Sequence, residues 1–172
     1  MELSRFGELF GAPLVNGDVE REWRETEAAY GAGLPDDYKR FVSAYGPGRV
    51  NDQLDLFHPR AAGLRLSSLW EQTSTAYGEL SRQDPEMYPC PVHPAENGFV
   101  PIARSISGNT VFLVPGPVAG EWAVAVEMGE WAVFEMSFTD FLWAALKGEL
   151  HAPVIEGAAR FEPLEQVEPW SP

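Results

Sequence analysis

The sequence predicts an α+β fold: one domain with an antiparallel sheet of about four to six strands packed against helices. Three observations carry this expectation. Apolar residues recur at helical spacing in the first half of the chain and again after Ser137. Between Phe99 and Met136 the period becomes extended and is broken by turn residues. The chain has 172 residues, 45% of them apolar and 12% aromatic, which suits one globular domain with a substantial core.

Residues 1–17 read as an irregular lead-in with room for a short helical turn, because Gly7, Gly11, Pro13 and Gly17 interrupt every apolar piece. Asp18 is a good helix N-cap. Val19, Trp23, Thr26 and Tyr30 then share one helical face, and Gly31 stops the helix. Leu34-Pro35 restarts the chain, with proline expected at the first helical position. Asp36 and Asp37 follow where the helix dipole favours carboxylates. Tyr38, Phe41, Val42 and Tyr45 form the apolar stripe, ended by Gly46-Pro47-Gly48. Residues 49–57, with Leu54, Leu56 and Phe57, read as one strand.

A third helix is expected over 67–82, on the stripe Leu66, Leu69, Trp70, Thr73, Tyr77 and Leu80. Residues 84–98 contain Pro85, Pro89, Pro91 and Pro94, a density that leaves only loop. Strands are expected at 99–103 and 110–114, joined by Ser107-Gly108-Asn109, and then at 121–127 and 130–136. The last two echo each other as Gly120-Glu121-Trp122-Ala123-Val124 and Gly129-Glu130-Trp131-Ala132-Val133. With Met128-Gly129 as a two-residue loop, Trp122, Val124, Val126, Trp131 and Val133 share a core face. The opposite face then carries Glu121, Glu127 and Glu130. A three-residue loop would shift this register. Ser137 caps a final helix, with Asp140 placed for a capping box and Phe138, Phe141, Leu142, Ala145 and Leu146 inward. The chain thus divides into the lead-in 1–17, the α+β domain 18–148 and a Pro/Glu-rich extension 149–172. Within the extension Val154-Ile155 and Phe161 are placed to dock, with the last residues loose.

Lysine and arginine number 12 against 26 aspartates and glutamates, for a net charge of −14. Such a chain repels nucleic acid and anionic membrane surfaces, and it favours a basic protein partner. There is no long apolar run for a membrane span and no secretory leader at Met1–Phe6, so a cytoplasmic location is expected. The single cysteine allows no internal disulfide.

No catalytic signature emerges. Gly46-Pro47-Gly48 lacks the lysine of a phosphate loop, and no Gly-x-Ser-x-Gly elbow exists. Cys90 and His93 lie close together in a proline-rich loop, without the fixed base and third orienting group that a thiol nucleophile needs. With His58 and His151 they are the only thiol and imidazole groups, and one close pair plus two distant singles lacks the spacing of a structural zinc site. No cofactor is called for. Trp23, Trp70, Trp122 and Trp131 fall on core stripes, whereas Trp143 and Trp170 fall off them as possible interface anchors. No lysine or arginine occurs between Arg104 and Lys147, a window holding Glu121, Glu127, Glu130, Glu135 and Asp140. Glu121, Glu127 and Glu130 are therefore the candidate partner-binding residues.

Trp23, Glu27, Tyr30-Gly31, Leu34-Pro35-x-Asp37-Tyr38-x-x-Phe41 and Tyr45-Gly46 together resemble the N-terminal hallmark of the SUKH superfamily, the family of fungal cell-wall assembly regulators and bacterial toxin-immunity proteins. Pro101-Ile102-Ala103 with Gly108-Asn109 is similar to its central hairpin, and Ser137-Phe138-x-Asp140-Phe141-Leu142 to its last helix. The resemblance implies a non-enzymatic α+β binding domain. In the immunity role it would neutralise a cognate toxin, such as a basic nuclease, by covering it with an acidic surface. In the regulatory role it would be an intracellular scaffold for a host protein or peptide. The motif residues are apolar or turn-forming and transfer no binding residue.

Overall fold

The computed structural model describes residues 1–13 and 18–168. A 3-10 turn, Leu3–Phe6, runs into the one-turn helix α1, Gly7–Phe10. Helix α2, Val19–Tyr30, begins with the Asp18 carboxylate accepting the Arg21 N–H at 3.1 Å. It ends at Gly31, whose φ of 89° is left-handed and suits a residue without a Cβ. Helix α3, Asp36–Tyr45, has Pro35 at its N-cap, one position earlier than the sequence suggests. Glu27 ties the two helices together. Its Oε1 accepts the Leu34 N–H and the Lys39 ammonium, both at 2.8 Å. The Trp23 indole N–H adds a buried bond to Ser43 Oγ at 2.9 Å. Removing one such ring from a packed core costs about 3–5 kcal/mol.

The single strand expected at 49–57 is instead a hairpin of β1, Gly48–Val50, and β2, Leu54–Leu56. Asn51 and Asp52 take φ values of 50° and 58° and reverse the chain. Asparagine and aspartate tolerate this region because their short polar side chains bond the local backbone. Helix α4, Leu66–Gln83, precedes the irregular segment 84–98. Four strands follow: β3, Val100–Ser105; β4, Thr110–Pro115; β5, Trp122–Glu127; and β6, Trp131–Phe134. Helix α5, Phe138–Leu146, starts with Ser137 Oγ accepting the Asp140 N–H at 3.2 Å. The capping box is half made, because the Asp140 carboxylate turns to the Met1 amino group at 2.6 Å. Beyond it, β7, Phe161–Pro163, joins the sheet, and Val154 and Ile155 are buried.

The described residues form one antiparallel sheet of seven strands in the order β6-β5-β4-β3-β2-β1-β7, somewhat more than the sequence suggests. One face packs against α2, α3 and α5 through Val50, Leu54, Ile102, Val111, Leu113, Val124 and Val126, which meet Trp23, Phe41 and Phe141. Alternation along the strands sends Phe112 and Ala125 to the other face. There they meet Tyr77 of α4, with Tyr88, Val92, Phe99 and Trp131 around them.

The β5–β6 register corrects the two-residue loop. Glu127 stands opposite Trp131, and Val126 opposite Ala132, so Met128, Gly129 and Glu130 form a three-residue loop. Trp131 and Val133 therefore leave the face of Trp122, Val124 and Val126, and Ala132 and Phe134 take their place. Trp143 is also reassigned. It is 6% exposed, edge-on to Phe6 at 5.5 Å, with the Arg5 guanidinium 4.5 Å from its ring centroid. The short N-terminal turn covers what looked like a free aromatic. Trp170 lies outside the described residues.

Candidate partner-binding surface

Two of the three glutamates singled out from the sequence meet at the β5–β6 loop. Glu127 closes β5, and its carboxylate is held from both sides. The Tyr77 hydroxyl donates to Oε2 at 2.7 Å, and the Gly129 N–H donates to Oε1 at 2.7 Å. The second bond secures a loop in which Gly129 has a φ of 84°. Burial and the neighbouring carboxylate both push the Tyr77 phenol above its ordinary range, so it stays a neutral donor. The Tyr77 ring packs on Phe112 at 5.5 Å and Trp131 at 5.8 Å. Trp131 in turn donates its indole N–H to the Met87 carbonyl at 3.2 Å. Segment 84–89 is thereby drawn beside the loop.

The result is a shallow depression of about 430 Å³ whose lining includes Met87 and Trp131 together with Asp84, Glu86 and Glu130. Met87 is 49% exposed. A depression lined by both apolar side chains and like charges is suited to a partner that brings an apolar anchor and cations. Asp84, Glu86 and Met87 carry no signal in the sequence. They sit in a proline-rich loop, and the Trp131–Met87 bond that places them comes from a strand more than forty residues away.

Glu121 is not part of this cluster. It precedes β5, roughly 20 Å from Glu127 along the strand. It lines a separate groove of about 740 Å³ between the α2–α3 connection and the β4–β5 loop, with Tyr30, Asp36 and Trp122. Asp36 there pairs with Lys39 at 3.1 Å, so the groove is less negative than its carboxylates suggest.

The thiol and imidazole groups are dispersed. The half-buried His93 ring packs between Tyr30 and Trp70, with centroids at 5.1 and 4.9 Å, and burial lowers its pKa. Cys90 lines a different hollow beside Tyr77 and Ser81, and burial raises its pKa. No hydrogen bond joins them. His58 is wholly buried against Glu22, and His151 is exposed. Among the described residues no group of three or more His, Cys, Asp or Glu side chains is placed to hold a metal ion. No described helix is long and apolar enough to cross a membrane.

These features define a one-sheet α+β domain with an acidic, aromatic-containing surface at one end of the sheet. Residues 20–143 match the model of the SMI1 / KNR4 family (SUKH-1), and the chain belongs to that family. No curated protein and no solved structure matches it. The matched stretch runs from α2 into α5 and takes in the Glu27–Leu34 contact, which explains that motif as a device for joining two helices.

Proposed function

We propose that this protein is a non-enzymatic binding protein of the immunity type, acting in the cytoplasm, which neutralises a basic toxin by covering it with its acidic surface. Its family includes toxin-immunity proteins and fungal regulators. The observation that carries the proposal is that Asp84, Glu86 and Glu130 line one depression with Met87 and Trp131, with Glu127 opposite Trp131 on the neighbouring strand, while residues 105 to 146 of the sheet and its last helix carry no lysine or arginine. A nuclease toxin holds phosphates with lysine and arginine, so an acidic cover competes for the same side chains. Glu121, Glu127 and Glu130 are the proposed electrostatic contacts.

The test is a pull-down from the native cytoplasm, washed at low and then high salt, followed by association kinetics with the captured protein. A basic toxin fragment released by salt supports occlusion. Replacing Glu121, Glu127 and Glu130 together by glutamine should then slow association by about tenfold and flatten its salt dependence. Unchanged kinetics would remove these residues from the interface. The exposed Met87 favours a second reading, a regulatory scaffold anchored by apolar contact. Capture of a host protein that resists high salt would support that reading instead.

A further inference from the structure

β6 is the last strand of the sheet, and among the described residues no strand pairs with its outer edge. The phase of its hydrogen bonds is fixed by one contact. The Met128 N–H donates to the Glu130 carbonyl at 3.0 Å, which marks Glu127 and Trp131 as a non-hydrogen-bonded pair. Ala132 and Phe134 therefore bond to β5. The N–H and C=O groups of Trp131 and Val133 point away from it.

Protein edges are usually blunted by proline, lysine or a bulge. β7, at the opposite edge, ends in Pro163, whereas Glu130–Met136 contains neither proline nor a basic residue. Val133 is 52% exposed, and the exposed Glu130 and Glu135 bracket the strand. Two copies paired antiparallel must match outward-bonding residues, such as Trp131 with Val133, which brings Glu130 of each within one position of Glu135 of the other, so the charges disfavour self-association. They favour a cationic strand.

We propose that the outer edge of β6 receives an extended basic segment of the partner as an eighth strand, with its backbone bonded to Trp131 and Val133 and its cations beside Glu130 and Glu135. This rests on the reading of a basic partner, and it specifies how that partner is held. Main-chain pairing would supply affinity and the flanking carboxylates the choice of sequence.

The experiment uses the full chain and two synthetic peptides of equal charge, one alternating lysine with valine and the other lysine with proline. Proline removes the donors that strand pairing needs. The lysine–valine peptide should bind about tenfold more tightly and slow amide exchange at Trp131 and Val133, leaving Ala132 and Phe134 unchanged. Val133→Pro removes an N–H that β5 does not use, so it should abolish the difference between the peptides, while Val133→Thr preserves it. The exchange measurement on the unmodified chain decides the matter even if the proline variant unfolds. Equal binding of both peptides without slowed exchange would overturn edge pairing and leave the acidic-surface reading intact. No binding of either would overturn both.

Discussion

Nε2 of His58 lies 2.6 Å from Oε1 of Glu22, and both side chains are wholly buried. His58 Nδ1 accepts the Arg60 N–H at 3.1 Å, which leaves the ring proton on Nε2, facing the carboxylate. The Arg60 guanidinium reaches the other Glu22 oxygen at 3.3 Å and the Glu168 carbonyl at 2.8 Å. Burial by itself would raise the Glu22 pKa. The Nε2–H contact of His58, together with the hydrogen bond and charge of Arg60, outweighs it and holds the group below its ordinary 4.5. A carboxylate depressed in the native state adds stability above its unfolded pKa, and that stability is lost as pH falls through the lower native value. Removing one partner strands the other, so Glu22→Ala should cost about 3–5 kcal/mol at neutral pH. Glu22→Gln should flatten the acid limb of a stability-against-pH curve measured by urea unfolding. An unchanged limb would show that other carboxylates govern acid unfolding.

Glu127 has a structural task beyond any electrostatic one, because its two oxygens hold Tyr77 and Gly129. Glu127→Ala should lower stability by about 1 kcal/mol, a fall in Tm of a few degrees at this chain length. Glu121→Gln and Glu130→Gln should leave Tm unchanged, since neither carboxylate makes a hydrogen bond among the described residues. Thermal melts of the three variants separate the roles, and equal melts would refute the loop-securing role.

Cys90 is set against nucleophilic work by its surroundings. Burial pushes its thiol above the ordinary 9.0, so the thiolate fraction near neutral pH falls below that of free cysteine. Alkylation by iodoacetamide should be several-fold slower than for free cysteine at about pH 8. A faster reaction would restore the thiol as a candidate nucleophile.

The helix limits were legible because caps are local. Asp18, Gly31 and Ser137 each act within a turn of their own position. Glu22 was not legible. Its position reads as the polar side of α2, and its burial depends on His58 and Arg60 arriving from a segment after β2. The β5–β6 register was hidden for a similar reason. Met128-Gly129 does not specify a turn, and the Glu127 bond to Gly129 that stabilises the longer loop appears only once the chain is folded. Of the surface around Met87, the sequence showed the strand half, Glu127 and Glu130. The loop half depends on a tryptophan bond across the fold.

β7 and the acidic loop lie at opposite ends of the sheet, so stability and partner binding should come apart. Gly48 of β1 faces the Phe161 ring and the Glu162 backbone. A Cβ built there would lie 2.6 Å from the Glu162 carbonyl oxygen, which cannot swing aside as a side-chain tip can. Gly48→Ala should therefore displace β7. That loosens the Phe161 ring from Phe10 and Tyr45, both at 5.6 Å, and strains the Asn51 Oδ1 bond to the Arg160 N–H at 2.8 Å. The expected cost is about 1–3 kcal/mol, as for overpacking elsewhere in protein cores. Binding of the basic peptides at β6 should be unchanged, because β1 is separated from β6 by four intervening strands. A urea melt and a peptide titration on the same variant check both halves. Weakened binding alongside the lost stability would mean that the two ends of the sheet are coupled.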